Sequence, residues 1–223
     1  YTPLTADQRA TAIQGGEVDV IFRNTTHTLS RDAAWGDFGP TILYDGQGIM
    51  VPTELGITEL VELDGASICV TSGTTTELNL ADWFRTHGLE YQPVVFDTAD
   101  QVVGGFAAGR CDALTSDQSQ LYALRIKLAD PSSAMVLPNV ISKEPLGPLV
   151  RQGDDQWFNI VKWTLFALVN AEELGITAAN VDAMKTGSKD PNVRRLLGAE
   201  GNFGEAMGLG ADWAYQAVKQ LGN

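Results

Sequence analysis

The sequence predicts an α/β fold of the doubly wound type. Short β-prone apolar runs at residues 18–22, 67–70, 93–96 and 111–115 alternate with helical stretches at 6–14, 78–86, 97–108 and 120–128. Strands alternating with helices imply parallel sheets whose ligands sit at the carboxyl ends of the strands. Three polar loops stand at such ends, at 24–31, 72–76 and 116–119. The 223 residues, 44% hydrophobic and 19% charged, are enough to bury a core in one large or two small domains.

Along the chain, Tyr1-Thr2-Pro3-Leu4 reads as a short strand and Thr5 as the N-cap of the first helix. The turn Gly15-Gly16 leads into the strand at 18–22. A short helix at 31–35 ends at Gly36, and two extended segments, 41–44 and 48–51, flank a turn at Asp45-Gly46. After the tight turn Leu63-Asp64-Gly65, the strand at 67–70 runs into Thr71-Ser72-Gly73-Thr74-Thr75-Thr76-Glu77 and a helix closed by Gly88. Residues 135–137 and 140–141 read as extended, and Pro145-Leu146-Gly147-Pro148 as a crossing or hinge. From Asp154 a helix runs to about residue 173, apolar on nearly every side and therefore expected to be buried on several faces, with Trp157, Trp163 and Phe166 in the core.

Charge and composition narrow the function. A net charge of −13 argues against general affinity for nucleic acid or anionic membranes. Two histidines, with Cys69 and Cys111 far from metal-ligand spacing, assemble no metal site, and no cofactor motif is present. The two cysteines read equally well as a disulfide of an exported chain or as two buried thiols. The most apolar stretch, 157–169, is too short to span a bilayer and contains Lys162.

The loop Arg23-Asn24-Thr25-Thr26-His27-Thr28-Leu29-Ser30-Arg31-Asp32 is the richest in chemistry. Hydroxyls, backbone N–H groups and a guanidinium at a strand end can cradle a carboxylate. It reads equally as a loop capping the next helix through Thr28 or Ser30. Gly73 and the three threonines after it likewise present N–H groups and hydroxyls at a helix N-terminus, for an anion or merely for capping.

Several segments in order resemble a known family: Gly16-Glu17-Val18-Asp19-Val20, the Arg31 loop, Gly73-Thr74-Thr75, Gly109-Arg110-Cys111-Asp112-Ala113, Asp117 and Gly147-Pro148-Leu149-Val150. Together they resemble the periplasmic amino-acid-binding proteins of ABC importers. Arg-Asn-Thr-Thr at 23–26, Leu-Ser-Arg-Asp at 29–32, Ser-Gly-Thr-Thr-Thr-Glu-Leu at 72–78 and Gly-Asp-Asp-Gln-Trp-Phe at 153–158 are similar to the general L-amino-acid-binding subgroup. The resemblance covers essentially the whole chain.

It implies a two-lobed, type II periplasmic binding protein fold, each lobe a doubly wound sheet. Lobe I would comprise residues 1–47 plus 143–223 and lobe II residues 48–142, with crossings near 46–51 and 140–145. Arg31 would grip an α-carboxylate with Asn24, Thr25 and Thr26. Gly73, Thr74 and Thr75 would complete that site, and Asp117 would accept from the α-ammonium. Arg23 and Glu77 are weaker candidates. The implied partners are an L-amino acid and the membrane permease of the importer. The implied compartment is the periplasm, with no enzymatic activity and no direct membrane insertion.

Against the family pattern, a first strand and helix are expected before Tyr1, which makes lobe I incomplete, and His27 stands where an aromatic is common. The expectations are weak binding by a monomer and a homodimer through lobe I. The alternatives are an enzyme resembling cyclohexadienyl dehydratase, which would need a buried general acid beside the clamp, and an interaction module without transport.

Overall fold

A computed structural model describes all residues, Tyr1–Asn223, and they fall into two compact units, Tyr1–Arg151 and Gln152–Asn223.

The first unit opens with α1 (Gln8–Gly15), β1 (Val20–Ile21), α2 (Leu29–Ala34), β2 (Asp37–Phe38) and β3 (Leu43–Pro52). It continues with β4 (Ser67–Thr71), α3 (Thr75–His87), β5 (Gln92–Phe96), α4 (Ala99–Ala107), β6 (Ala113–Asp117), α5 (Gln118–Arg125), β7 (Ala134–Val136), β8 (Ser142–Leu146) and β9 (Leu149–Val150). The anticipated α/β alternation is present. Parallel pairing, however, is confined to β4 with its neighbours β5 and β6, while β3 runs antiparallel to β6, β7 and β8. A second, three-stranded sheet, β1-β9-β2, is antiparallel throughout.

The larger sheet is covered on both faces, as the period of two along each strand dictates. Ile49 and Val51 of β3, Ile68 of β4 and Ala113 of β6 point to one face and pack with Leu80 and Phe84 of α3. Their neighbours Met50, Cys69 and Leu114 point to the other, against Val102, Val103 and Phe106 of α4 and Leu121 and Leu124 of α5. The three-stranded sheet has its own cluster, Ile13, Ile21, Phe38 and Leu149. Gly36 is required there by close approach, because a Cβ would overlap the carbonyl oxygen of Val150.

One local expectation is overturned and one open alternative is decided. The turn at Asp45-Gly46 does not form. β3 is one continuous strand through it, because residues 43–47 pair in register with β8, from Leu43 opposite Leu146 to Gln47 opposite Ser142. A full ladder of backbone hydrogen bonds outweighs a local turn preference. Cys69 and Cys111 are joined as a disulfide with Cα atoms 5.7 Å apart, tying β4 to the segment entering β6.

The second unit is helical: α6 (Asp155–Glu173), α7 (Val181–Gly187), α8 (Pro191–Leu196) and α9 (Trp213–Leu221), around Ala171, Ile176, Val181, Val193, Leu197 and Val218. Asp154 caps α6 by accepting from the Trp157 N–H. Within α6 only Ala167 and Ala171 are fully buried, and Trp163 and Phe166 are 49% and 38% exposed. The reading of α6 as buried on several faces is therefore corrected: apolar content on every side is not burial on every side. No helix is long and apolar enough to cross a membrane.

Candidate functional site

The loop after β1, the junction between β4 and α3, and the end of β6 where it passes directly into α5 converge on one cavity of about 510 Å³ in the first unit. Six of the anticipated residues line it: Asn24, Thr26, Arg31, Thr74, Thr75 and Asp117. Arg9 and Arg23 line it as well. Thr25 and Gly73 are off the wall. Thr25 is fully buried and its hydroxyl oxygen accepts from Arg9 at 3.2 Å. The Gly73 N–H donates to the Glu77 carboxylate at 3.0 Å, and its φ of 66° sets the turn into α3.

Arg31 is placed by the first turn of α2, where its N–H donates to the N-cap Thr28 hydroxyl at 3.3 Å. Its guanidinium donates once, to the Thr26 carbonyl at 3.1 Å, and lies 4.8 Å from the Trp35 ring centre. A guanidinium has five N–H donors, so most of its capacity is left for a ligand. Burial lowers its pKa, and Glu144 and Asp117 oppose that shift.

Asp117 ends β6. Its side chain does not cap α5; one oxygen accepts from the Asn24 amide at 2.7 Å. The other oxygen, Oδ1, is buried without a hydrogen-bond partner. Burial pushes the carboxyl up to about 6, with Glu144 and Asp45 adding to the rise and the Asn24 hydrogen bond and Arg9 opposing it. A half-satisfied buried carboxylate on a cavity wall is an acceptor for a cationic donor.

The two threonines differ in what they can still offer. The Thr74 hydroxyl is consumed locally, donating to the Thr71 carbonyl at 2.7 Å and accepting from the Glu77 N–H at 3.2 Å as the N-cap of α3. The Thr75 hydroxyl donates to Glu144 Oε2 at 2.9 Å. At the first turn of α3, the Thr75 and Thr76 N–H groups have no partner within the helix, and the positive end of the helix dipole favours negative charge there.

Sequence reasoning missed Arg9, Glu144 and Gln47. Arg9 stands on α1, 5% exposed, and donates to the Asn24 carbonyl and the Thr25 hydroxyl, both at 3.2 Å. Burial, then Arg23 and Arg31, pull its pKa down to about 9, which leaves it charged at neutral pH. Gln47, buried on β3, donates to the Thr76 carbonyl at 2.8 Å and the Thr115 hydroxyl at 2.9 Å, bracing the first turn of α3 against β6. Three guanidiniums thus face one half-satisfied carboxylate, an arrangement suited to a zwitterion carrying additional acceptors.

No protein-family model matches the chain. The chain is 56% identical, over its whole length, to the general L-amino acid-binding periplasmic protein AapJ of Rhizobium johnstonii, of which it covers 66%. It is 49% identical to the glutamate/glutamine/aspartate/asparagine-binding protein BztA of Rhodobacter capsulatus, again over its whole length and 66% of that protein. Among solved structures, an ABC transporter periplasmic binding protein from Brucella ovis with glutathione bound superposes with a TM-score of 0.95. That protein is 52% identical, and the match covers all of this chain and 70% of the other. The chain therefore spans about two thirds of the length of the curated relatives it matches.

Proposed function

The chain belongs to the periplasmic binding proteins of ABC transporters, and on that footing we propose that its cavity binds an L-amino acid for delivery to a membrane permease. The observation that carries the reading is the pairing of opposites on one wall: Asp117, with a buried unpartnered oxygen, and Arg31, with most of its donors uncommitted. The α-ammonium would donate to Asp117. The α-carboxylate would lie between Arg31 and the N–H groups of Thr75 and Thr76. Charge-assisted hydrogen bonds contribute about 1.5–3 kcal/mol each, and micromolar affinity needs about 8 kcal/mol, so three or four such contacts suffice.

Arg9 and Arg23 supply positive charge beyond what one α-carboxylate uses, which favours acidic or amide side chains, the ligands in the name of the Rhodobacter relative. A second reading, a γ-glutamyl peptide, draws on the cavity of about 510 Å³ and on the glutathione in the Brucella structure. Isothermal titration with L-glutamate, L-glutamine, L-leucine and glutathione tests both. Heat with the first two and none with leucine is expected, and silence with all four rejects the proposal.

The lobe division also belongs to the proposal: residues 1–47 plus 143–223 as lobe I and 48–142 as lobe II. The antiparallel pairing of β3 with β8 supports it, because both assigned crossings fall on or beside these strands. A periplasmic location is supported by the relatives and by the Cys69–Cys111 disulfide, which suits an oxidising compartment. The relatives are named as binding proteins, which favours capture over the dehydratase-like alternative. The homodimer has no support among the relatives and does not enter the proposal.

A further inference from the structure

Glu144, on β8, is 1% exposed and does not line the cavity, yet two cavity residues end on it. Its Oε2 accepts from the Thr26 hydroxyl and from the Thr75 hydroxyl, the latter at 2.9 Å. Its Oε1 accepts from the Asn79 amide at 2.8 Å and from the Ser142 hydroxyl at 2.5 Å. Thr26 follows β1, Thr75 opens α3, and their hydroxyl oxygens sit 3.3 Å apart against the same carboxylate oxygen. The Thr26 loop is also held along β8, with Thr26 bridged to Leu146 and the His27 N–H donating to the Pro145 carbonyl at 2.8 Å.

We propose that Glu144 is a positioning residue for ligand binding: by taking both threonine protons on one oxygen it locks the Thr26 loop and the first turn of α3 in the relative placement that the ligand needs. The inference rests on the amino-acid reading of the cavity and adds a residue that makes no ligand contact. A hydroxyl has one proton. With Glu144 as the shared acceptor, the Thr26 and Thr75 protons are committed away from the cavity. The ligand carboxylate is then left to the Thr75 and Thr76 N–H groups and to Arg31, whose guanidinium is tied to the Thr26 carbonyl in the same loop. Moving the Thr26 loop relative to α3 would separate the two hydroxyls from their common acceptor and carry Arg31 away from the helix N-terminus.

The charge of Glu144 acts in the opposite direction, which makes the proposal testable by sign. Glu144 lies close enough to favour the charged form of Arg31 and to disfavour that of Asp117, so its negative charge also repels an incoming carboxylate. Were Glu144 only a charge, Glu144→Gln would tighten L-glutamate binding. As a positioning residue, its loss weakens binding, about tenfold for exchanging charge-assisted for neutral hydrogen bonds.

The experiment is a double-mutant cycle of Glu144→Gln with Thr75→Val, read by titration with L-glutamate. Weakening in the wild-type background that shrinks below about threefold in the Thr75→Val background supports the proposal. Tighter binding, or equal weakening in both backgrounds, overturns it. If the unsubstituted protein takes up no L-glutamate, the cycle is read with L-glutamine; if it takes up none of the four ligands, the amino-acid reading fails instead, and hydrogen exchange on the ligand-free protein decides on Glu144. Faster exchange in Glu144→Gln at residues 24–31 and 74–79 together, with the amides of α4 unchanged, supports the lock. Unchanged or uniformly faster exchange overturns it.

Discussion

Asp117 is the residue whose chemistry is most exposed to test. Its folded-state pKa of about 6 lies above the ordinary 3.8, so between those values the folded protein holds a proton that the unfolded chain has released. The folded state is therefore favoured at low pH, and stability falls as pH rises from about 4 to about 6. Asp117→Asn should remove that slope and raise the ligand-free stability at pH 7, by an amount on the order of 1–3 kcal/mol, in urea unfolding followed by circular dichroism. Binding runs the other way. An ammonium needs the ionised carboxylate, so affinity for L-glutamine should fall about tenfold per unit as pH drops well below 6; a flat titration from pH 7 to pH 4 excludes Asp117 as the ammonium anchor. Arg31→Lys keeps the charge but loses the planar fork and the seat against Trp35. It should weaken L-glutamate binding about 10- to 100-fold, measured by calorimetry at a pH where Asp117 is ionised.

How much of the site was legible follows from sequence distance. Asn24 and Thr26 sit on one loop, Arg31 on the first turn of the helix that follows it, and Thr74 and Thr75 at one helix start, so local patterns suffice to mark them. Glu144 is marked only by its partners, 118 residues from Thr26 and 69 from Thr75, and in the sequence it looks like a polar residue of an exposed hinge. Arg9 likewise looks like a solvated helix residue until the Asn24 loop closes over it. The cysteines were a pair or two thiols until the parallel register of β4 and β6, with Ile68 opposite Ala113, brought them together.

At the scale of the element, the junction between β4 and α3 concentrates function and constraint. Thr74 caps α3, Gly73 turns the chain into it, and the Ser72 hydroxyl donates to Asp7 at 3.1 Å, joining this loop to the segment entering α1. Gly73 has two reasons to be glycine: a φ of 66°, and a Cβ position that the Asp7 carboxylate already occupies. Gly73→Ala should therefore cost about 1–2 kcal/mol for the left-handed backbone, plus the displacement of Asp7, and lower the thermal midpoint in calorimetry. Pairing it with Asp7→Ala should recover the overlap but not the backbone share. Full recovery in the double variant would show that the backbone conformation costs nothing there. The same junction explains why a glycine at a strand-to-helix turn reads as a site residue while its own atoms stay off the cavity wall: it serves the threonines that follow.

At the scale of the molecule, the disulfide is the covalent constraint on the unit that holds the cavity. It links the central parallel strand β4 to the entry of β6 and closes a loop with a sequence separation of 42. That loop contains β5, the edge strand beside β4, and the helices α3 and α4, which cover the two faces of the sheet at its parallel edge. Cross-linking a loop of this length removes unfolded-state entropy worth about 4 kcal/mol in the chain-entropy account, with native-state effects adding or subtracting. Both sulfurs belong to residues buried in the cluster of Met50, Phe106 and Leu114, Cys69 fully and Cys111 to 5% exposure. Cys69→Ala with Cys111→Ala should therefore lower the stability of this unit by about 2–4 kcal/mol in urea, and steepen the denaturant dependence as the uncrosslinked chain exposes more surface. Because both sulfurs are buried, a mild reductant should leave the native bond intact and cleave it only above the unfolding midpoint. Rapid reduction under native conditions would mean that the parallel edge of the sheet opens locally, with α3 and the first-turn N–H groups assigned to the ligand carboxylate opening alongside it.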